Sequence, residues 1–324
     1  MSHVHHYRLS IWMGLSLWVA LASMADAAPW ERRELDGRGY VSLESVKSFY
    51  RFESLIREKK SVALEKAEVR IVMGIGSREC TMNKMKFVFS EPVKEHAGKP
   101  WISEVDLTKL VDPVLRPKFI KSAGDFRTVI LDPGHGGKDA GATNGYGTEA
   151  GYNLKVARRT KRLLEKKGFK VLMTRETDEF LSLQERVEFA NEVSDNALFV
   201  SIHHNSAKRS AARGIETFTL SPVGVAHYGR GLKQSDFKER KGNEYDSANV
   251  ALASAIHSRL LLGLKHKPTG RSYTLDRGIK RARFSVLSGV RHPSVLVECG
   301  FMSNAYESKL IDDPGYQARV AEAI

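Results

Sequence analysis

The chain has 324 residues, 42% of them hydrophobic and 27% charged, enough apolar material for one large core and a smaller module. Lys and Arg outnumber Asp and Glu by 51 to 38, and the resulting formal charge of +13 suits an acidic or polyanionic partner or a solvated surface. No zinc-finger spacing, RNP-like stretch or basic region joined to heptads accompanies that charge, so no nucleic acid is expected as partner.

The first residues, 1–27, read as a secretory signal peptide. Arg8 precedes an apolar run over 9–22, and Ala25-Asp26-Ala27 supplies the small residues of a cleavage site. The run is short for a membrane span, and the thin positive region leaves an uncleaved anchor as the alternative. No second apolar stretch is long enough to cross a bilayer, so a periplasmic or secreted protein with no stable membrane span after cleavage is expected. The two cysteines, Cys80 and Cys299, fall in different predicted domains. A bridge needs Cα atoms within about 7 Å, so both are expected to be free and buried.

Residues 30–117 read as a small strand-rich domain. The pattern predicts a turn and strand over 37–43, a helix over 45–56, strands over 68–73 and 85–89, and a turn plus strand over 98–102. Its single histidine, His96, reads as a solvated loop residue. Pro113, Pro117 and the polar residues that follow mark a linker over 118–125. From 126 to 324 strands alternate with helices, which predicts an α/β fold with a mainly parallel sheet flanked by helices on both faces. Strands are expected over 129–131, 169–174, 198–202, 215–220, 284–287 and 294–298. Helices are expected over 153–167, from the Ser182-Leu183-Gln184-Glu185 capping box to 193, over 247–262, and after Asn304 with Glu307 in the reciprocal capping position. The polar residues 221–246 read as a long surface loop.

Three strands end in chemistry. The strand over 129–131 runs into Asp132-Pro133-Gly134-His135-Gly136-Gly137, a histidine in a loop too glycine-rich to crowd it. The strand over 198–202 ends in His203-His204-Asn205, and the last strand ends in Glu298. Glu149 stands between the first two, just ahead of a helix. Two histidines, one carboxylate ligand and a further carboxylate are the parts of a hydrolytic zinc site. Read from the residues alone, Glu149 serves equally well as an acid favoured by a helix N-terminus. Strict alternation would point His203 and His204 to opposite faces, so one of them is expected to reach a metal. A carboxylate at Glu298, after three apolar residues, is costly to bury without a role.

The segment from Val129 to Gly137 resembles the opening motif of zinc-dependent N-acetylmuramoyl-L-alanine amidases. The later pieces follow in order: Thr174-Arg175-Glu176-Thr177-Asp178, Arg186 with Ala190-Asn191, Ser201-Ile202-His203, and Leu296-Val297-Glu298-Cys299-Gly300-Phe301-Met302-Ser303-Asn304. The resemblance covers the chain from about 126 onward. It implies that His135, Glu149 and His203 hold one Zn²⁺, that Glu298 is catalytic, and that the enzyme cuts the amide between N-acetylmuramic acid and L-alanine. Peptidoglycan would then be the partner, and an anionic wall accounts for the positive charge. His204 and Asn205 are candidates for touching substrate. Asp132 is expected to orient the histidine loop, Arg175, Asp178 and Arg186 to form ion pairs beside the cleft, and Asn191 to tie a helix end. Residues 30–117 loosely resemble the strand-rich domains named after the copper amine oxidase stalk, which implies wall or partner binding and no copper. Regulation by a protein activator is left open. Members of the amidase family continue a turn or more past the point where this chain stops, and Cys299 stands where threonine is common among them. The competing readings are a zinc peptidase cutting within the stem peptide and a non-catalytic wall-binding or activator protein.

Overall fold

The computed structural model describes residues 30–121, 124–264 and 275–324. The proposed signal peptide lies outside the described residues. The N-terminal region contains β1 (Arg32–Leu35), β2 (Arg38–Ser42), α1 (Leu43–Tyr50), β3 (Ser54–Arg57), β4 (Ser61–Lys66), β5 (Val69–Gly74), β6 (Glu79–Met82), β7 (Met85–Val88), β8 (Lys94–His96) and β9 (Lys99–Ser103). Next come α2 (Glu104–Asp106), a π-helical stretch (Leu107–Val111) and α3 (Asp112–Leu115). The remainder is β10 (Thr128–Pro133), α4 (Glu149–Glu165), β11 (Lys170–Met173), α5 (Leu183–Glu192), β12 (Ala197–Asn205), β13 (Ile215–Leu220), α6 (Asp246–Gly263), β14 (Asp276–Ala282), α7 (Ser285–Gly289), β15 (Ser294–Phe301), α8 (Ala305–Asp312) and α9 (Pro314–Ala323).

A large mixed sheet runs in the order β11-β10-β12-β15-β13-β14-β7-β6-β5-β4-β3, and β1, β2, β9 and β8 form a separate small sheet. Strands β11, β10, β12 and β15 are mutually parallel, while β13 runs antiparallel to β15. Alternation along the central strands feeds two cores. Val129 and Leu131 of β10 and Val295 and Val297 of β15 join the core shared with α4, α6 and α9. Ile130 and Leu296 face the other way, into the core under α5 and α7. Helices therefore cover both faces, as the apolar runs of β10, β12 and β15 require. Because β11 and β12 flank β10, the connections through α4 and α5 diverge there, and a crevice opens beyond the strand ends.

Several predicted elements differ from those observed. The helix expected over 45–56 ends at Tyr50, where Arg51 turns left-handed with φ of 55°. The following residues become β3, because β4 offers a full antiparallel ladder. Residues 284–287 belong to no strand; Ser285–Gly289 form the short helix α7. A strand precedes it instead, β14, whose Arg277, Lys280 and Arg281 hid it. Glu307 does not return to its helix N-cap, since its carboxylate accepts from Gly214 N and Phe301 N. Residues 221–246 are more built than a surface loop: they contain two 3-10 turns, and the fully buried Asp236 pairs with Arg230 and Arg283. Both cysteines are free and buried, as expected.

The N-terminal strands continue the same sheet, because β7 lies parallel to β14 at the pair Ile279 and Phe87. Asp276 reinforces this seam. One carboxylate oxygen accepts from Lys86 N at 2.8 Å, and the other takes Gly278 N at 2.8 Å and His257 Nε2 at 2.9 Å. His257 is fully buried and meets Thr217 Oγ1 through its other ring nitrogen. Removing such a carboxylate leaves several buried donors unpaired. Asp276→Ala is expected to destabilise the protein by about 3 kcal/mol, read as a lower urea midpoint at unchanged slope.

Candidate active site and metal centre

The site is built from the carboxyl ends of β10, β12 and β15 and the first turn of α4. Strand β10 delivers Asp132 into the interior at 1% exposure. There it accepts hydrogen bonds from Thr174 Oγ1 (2.7 Å), Ser201 Oγ (2.8 Å) and Arg186 Nη1 (2.7 Å). The next residues turn sharply, and His135 adopts φ of 61°, a left-handed conformation unusual for a side chain of that size. Two buried arginines hold this turn. Arg186 donates to the carbonyls of Pro133 and His135, and Arg175 donates to those of Pro133, Gly134 and Ala150. Asp178 accepts from Gly137 N at 2.9 Å. The expected ion-pair network is thus chiefly a cage around backbone carbonyls. Asn191 ties the end of α5 to Gly289 O and Arg291 N.

Glu149 is the first residue of α4, whose N-cap Thr148 accepts from Gly151 N. At 6% exposure, its Oε2 accepts from Ala142 N (3.0 Å). Its Oε1 lies 3.2 Å from His135 Nε2 and 2.9 Å from His203 Nδ1. Ligand-capable atoms of His135, Glu149 and His203 all fall within 4.8 Å of one another, a cluster able to hold a metal ion. Burial by itself would raise the proton affinity of Glu149, but hydrogen bonds and charge from His135 and His203 outweigh it and hold the carboxyl well below the usual range. Asp139 orients His135 from behind, with Oδ2 at 2.8 Å from Nδ1. Two glycines make room for the cluster. A Cβ on Gly134 would fall 2.1 Å from His203 Cε1, and one on Gly141 would fall 2.7 Å from both Glu149 Oε2 and His135 Cδ2.

Of the two neighbouring histidines, His203 enters the cluster able to hold a metal ion and His204 does not, as alternation along the strand leads one to expect. Both imidazoles meet α4, at residues one turn apart. His204 Nδ1 lies 2.8 Å from Asn153 Oδ1. Asn153 Nδ2 donates to Gly134 O, so its oxygen is the acceptor and His204 carries the proton on Nδ1. Burial pushes His204 down to about 4, with Glu149 opposing and His203 reinforcing the shift. His204 is therefore neutral at neutral pH. Asn205 lines the cleft, and its Oδ1 accepts from Ser206 N.

Glu298 lies opposite His203 in the pairing of β12 with β15 and lines the same cleft of about 860 Å³. Its Oε2 is buried without a hydrogen-bond partner among the described residues. Burial raises its proton affinity well above the ordinary carboxyl range; Glu149 and Glu216 add to this and Lys280 opposes it. Phe180, Leu183, Phe284 and Val286 also line the cleft and give it apolar surface. Sequence reading did not single out Asp139, Asn153, Glu216 or Lys280. A polar Asn153 on the apolar face of a predicted helix was the available signal for one of them; Asp139, four residues past His135, was the signal for another.

Residues 129–324 match the family model for N-acetylmuramoyl-L-alanine amidase. The chain belongs to this family. The amidase is 32% identical over 240 residues to N-acetylmuramoyl-L-alanine amidase AmiA of Escherichia coli (strain K12), a match covering 69% of this chain and 82% of AmiA. It is 34% identical over 198 residues to the uncharacterized protein YqiI of Bacillus subtilis (strain 168), covering 61% and 81% of the two chains. Among solved structures it is similar to the catalytic domain of CwlV, an N-acetylmuramoyl-L-alanine amidase from Bacillus (Paenibacillus) polymyxa var. colistinus. That match has 31% identity, covers 61% of this chain and 94% of the other, and has a TM-score of 0.49. The reaction of the amidase is hydrolysis of the bond between N-acetylmuramic acid and L-alanine in peptidoglycan.

The clearance at Gly134 gives a direct check on the cluster. Gly134→Ala is expected to displace the His203 ring and weaken divalent-ion affinity by at least about tenfold, with far-UV circular dichroism unchanged. An unaltered affinity, measured by competitive titration with a chelator, would show that the ring does not need that space.

Proposed function

We propose that the amidase is a zinc enzyme in which His135, Glu149 and His203 hold one ion and Glu298 is the general base. The observation that carries this reading is the convergence of two imidazole nitrogens on one oxygen of Glu149, at the mouth of a cleft that also contains an unpartnered carboxylate. Two nitrogens and one carboxylate oxygen form a donor set suited to catalytic zinc, which takes three protein ligands and keeps a further position open. Zinc held there supplies Lewis-acid chemistry, polarising the scissile carbonyl and making water acidic near neutral pH.

The chain's own residues do the rest. Asp139 keeps the Nε2 edge of His135 directed at Glu149, and Asp132, Arg175 and Arg186 fix the backbone that carries His135. Glu298 accepts a proton from the water that attacks the lactyl carbonyl. When the C–N bond breaks, it passes that proton to the departing amine of L-alanine. Its raised proton affinity fits both halves of that exchange. Phe180, Leu183, Phe284 and Val286 give the cleft apolar surface for substrate, and Asn205 and His204 line it near the reacting bond.

The predicted signal peptide and the wall substrate support a location in the periplasm or outside the cell. Among the described residues no helix is long and apolar enough to cross a membrane. We assign residues 30–117 to contact with the wall or with a protein activator, and residues 118–125 to the connection with the catalytic part.

Glu298→Gln is expected to retain zinc while kcat on purified muropeptides falls by about 10³-fold. His135→Ala is expected to lose zinc and turnover together. Mass spectrometry of the digest should find lactyl-bearing glycan and peptides with a free L-alanine amine. Products cut inside the stem peptide would establish a peptidase instead, and undiminished turnover by Glu298→Gln would remove the base assignment.

A further inference from the structure

The residues surrounding Glu298 form a row of charges across three strands. Antiparallel pairing sets Glu216 of β13 directly opposite Glu298 of β15. Residues so paired project from the same face, and like charges in that position repel. On the other side of β13, Lys280 of β14 pairs with Phe218 in the ladder. From there its ammonium reaches Glu216 Oε1 at 2.9 Å. Arg277, also on β14, brings its Nε to the same oxygen. Glu216 and Lys280 are 4% and 3% exposed, so the pair is sealed from solvent. The Lys280 ammonium also packs against the Tyr228 ring, 4.5 Å from its centroid.

This arrangement contains an imbalance. Glu216 receives two cations on a single oxygen, whereas Glu298, its immediate neighbour, leaves Oε2 buried with no partner among the described residues. A buried carboxylate without a partner is costly and takes up a cation within reach. Lys280 is near enough for its charge to act on Glu298. A Glu298 locked in an ion pair with Lys280 would be a poorer proton acceptor and would be turned away from the cleft. We propose that Glu216 is a positioning residue for the amidase reaction: by engaging Lys280 it keeps that cation off Glu298 and leaves the Glu298 carboxylate free to face the cleft. The inference rests on the assignment of Glu298 as the base. Glu216 touches no reacting atom; it acts by occupying the group that would otherwise occupy Glu298.

The test uses the full-length, zinc-loaded enzyme and purified muropeptide. Glu216→Gln releases Lys280 to Glu298, and kcat is expected to fall at least tenfold with KM and zinc content unchanged. Glu216→Gln combined with Lys280→Met removes the released cation and is expected to regain at least threefold over the single variant. A purely structural ion pair would lower the melting temperature without this recovery. The proposal is overturned if Glu216→Gln keeps kcat within twofold of the parent, or if the folded, zinc-loaded double variant is no faster than the single one. Should Glu216→Gln fail to fold, the double variant, with no buried charge left unpaired in the pair, decides alone. Turnover above a tenth of the parent supports the proposal, and a folded, zinc-loaded but inactive protein rejects it. Glu298→Gln assayed alongside separates the two readings, since turnover surviving in that variant removes the base assignment whatever the Glu216 variants do.

Discussion

The site depends on one buried ion pair, Asp132 with Arg186. Both side chains are almost wholly sealed from water, and each is heavily bonded. Asp132 gathers β10, the end of β11 through Thr174, β12 through Ser201 and α5 through Arg186. Arg186 spends its remaining donors on the carbonyls of Leu181, Pro133 and His135. Taking two charges out of water is worthwhile only when further hydrogen bonds support the pair in this way. What the fold gains is a rigid left-handed turn at His135, a conformation that costs roughly 1–2 kcal/mol for a non-glycine residue. The position of Arg186 is itself set locally, because the Ser182–Glu185 capping box fixes the first turn of α5, from which Arg186 projects.

Around that frame the fold separates two acids that share a cleft. Glu149 receives two imidazoles, a backbone amide and a helix N-terminus, and its carboxyl is held ionised. Among the described residues Glu298 receives nothing on Oε2; it lies near two other carboxylates and is pushed toward its neutral form. Environments that drive like groups apart assign them different work. In the proposed mechanism one holds a cation and the other exchanges a proton. His204 follows the same logic from the opposite side: burial keeps it neutral, and its bond to Asn153 secures α4 beneath the strand end that carries His203.

Much of this was legible in the amino-acid order, for identifiable reasons. Strands β10, β12 and β15 are buried on both faces and read as largely apolar runs, so the residues at their ends stood out as exceptions. The capping box of α5 reads directly from Ser182 and Glu185. The reading went wrong where tertiary partners override local pattern. Strand β14 carries three cations in seven residues and resembles no interior strand, yet Arg281 lies buried against Thr219 and Lys109 O, and Lys280 against Glu216. The apolar run at 284–287 was too short for its period to distinguish helix from strand. The contacts of His203 with Glu149 and of His204 with Asn153 depend on how α4 lies against the end of β12, a relation that neither segment contains alone.

The polar, proline-marked stretch before 126 reads as a division between two modules. In space, β7 returns to the sheet beside β14, and Asp276 bonds the two strands together through Lys86 N. Gly278 has to be a glycine at this seam, since a Cβ there would lie 3.0 Å from Lys86 O at a φ of 86°. Strand β14 is therefore an interior strand only because the N-terminal region covers its edge, and β14 is the strand that carries Lys280 and Arg277. The N-terminal region thus bears on the chemistry in a way that wall or partner binding would not reveal: it completes the sheet whose charge row borders Glu298. Removing it would expose a cationic edge strand and loosen the partners of Glu216, so loss of turnover in a truncated enzyme would report on the sheet and not on targeting.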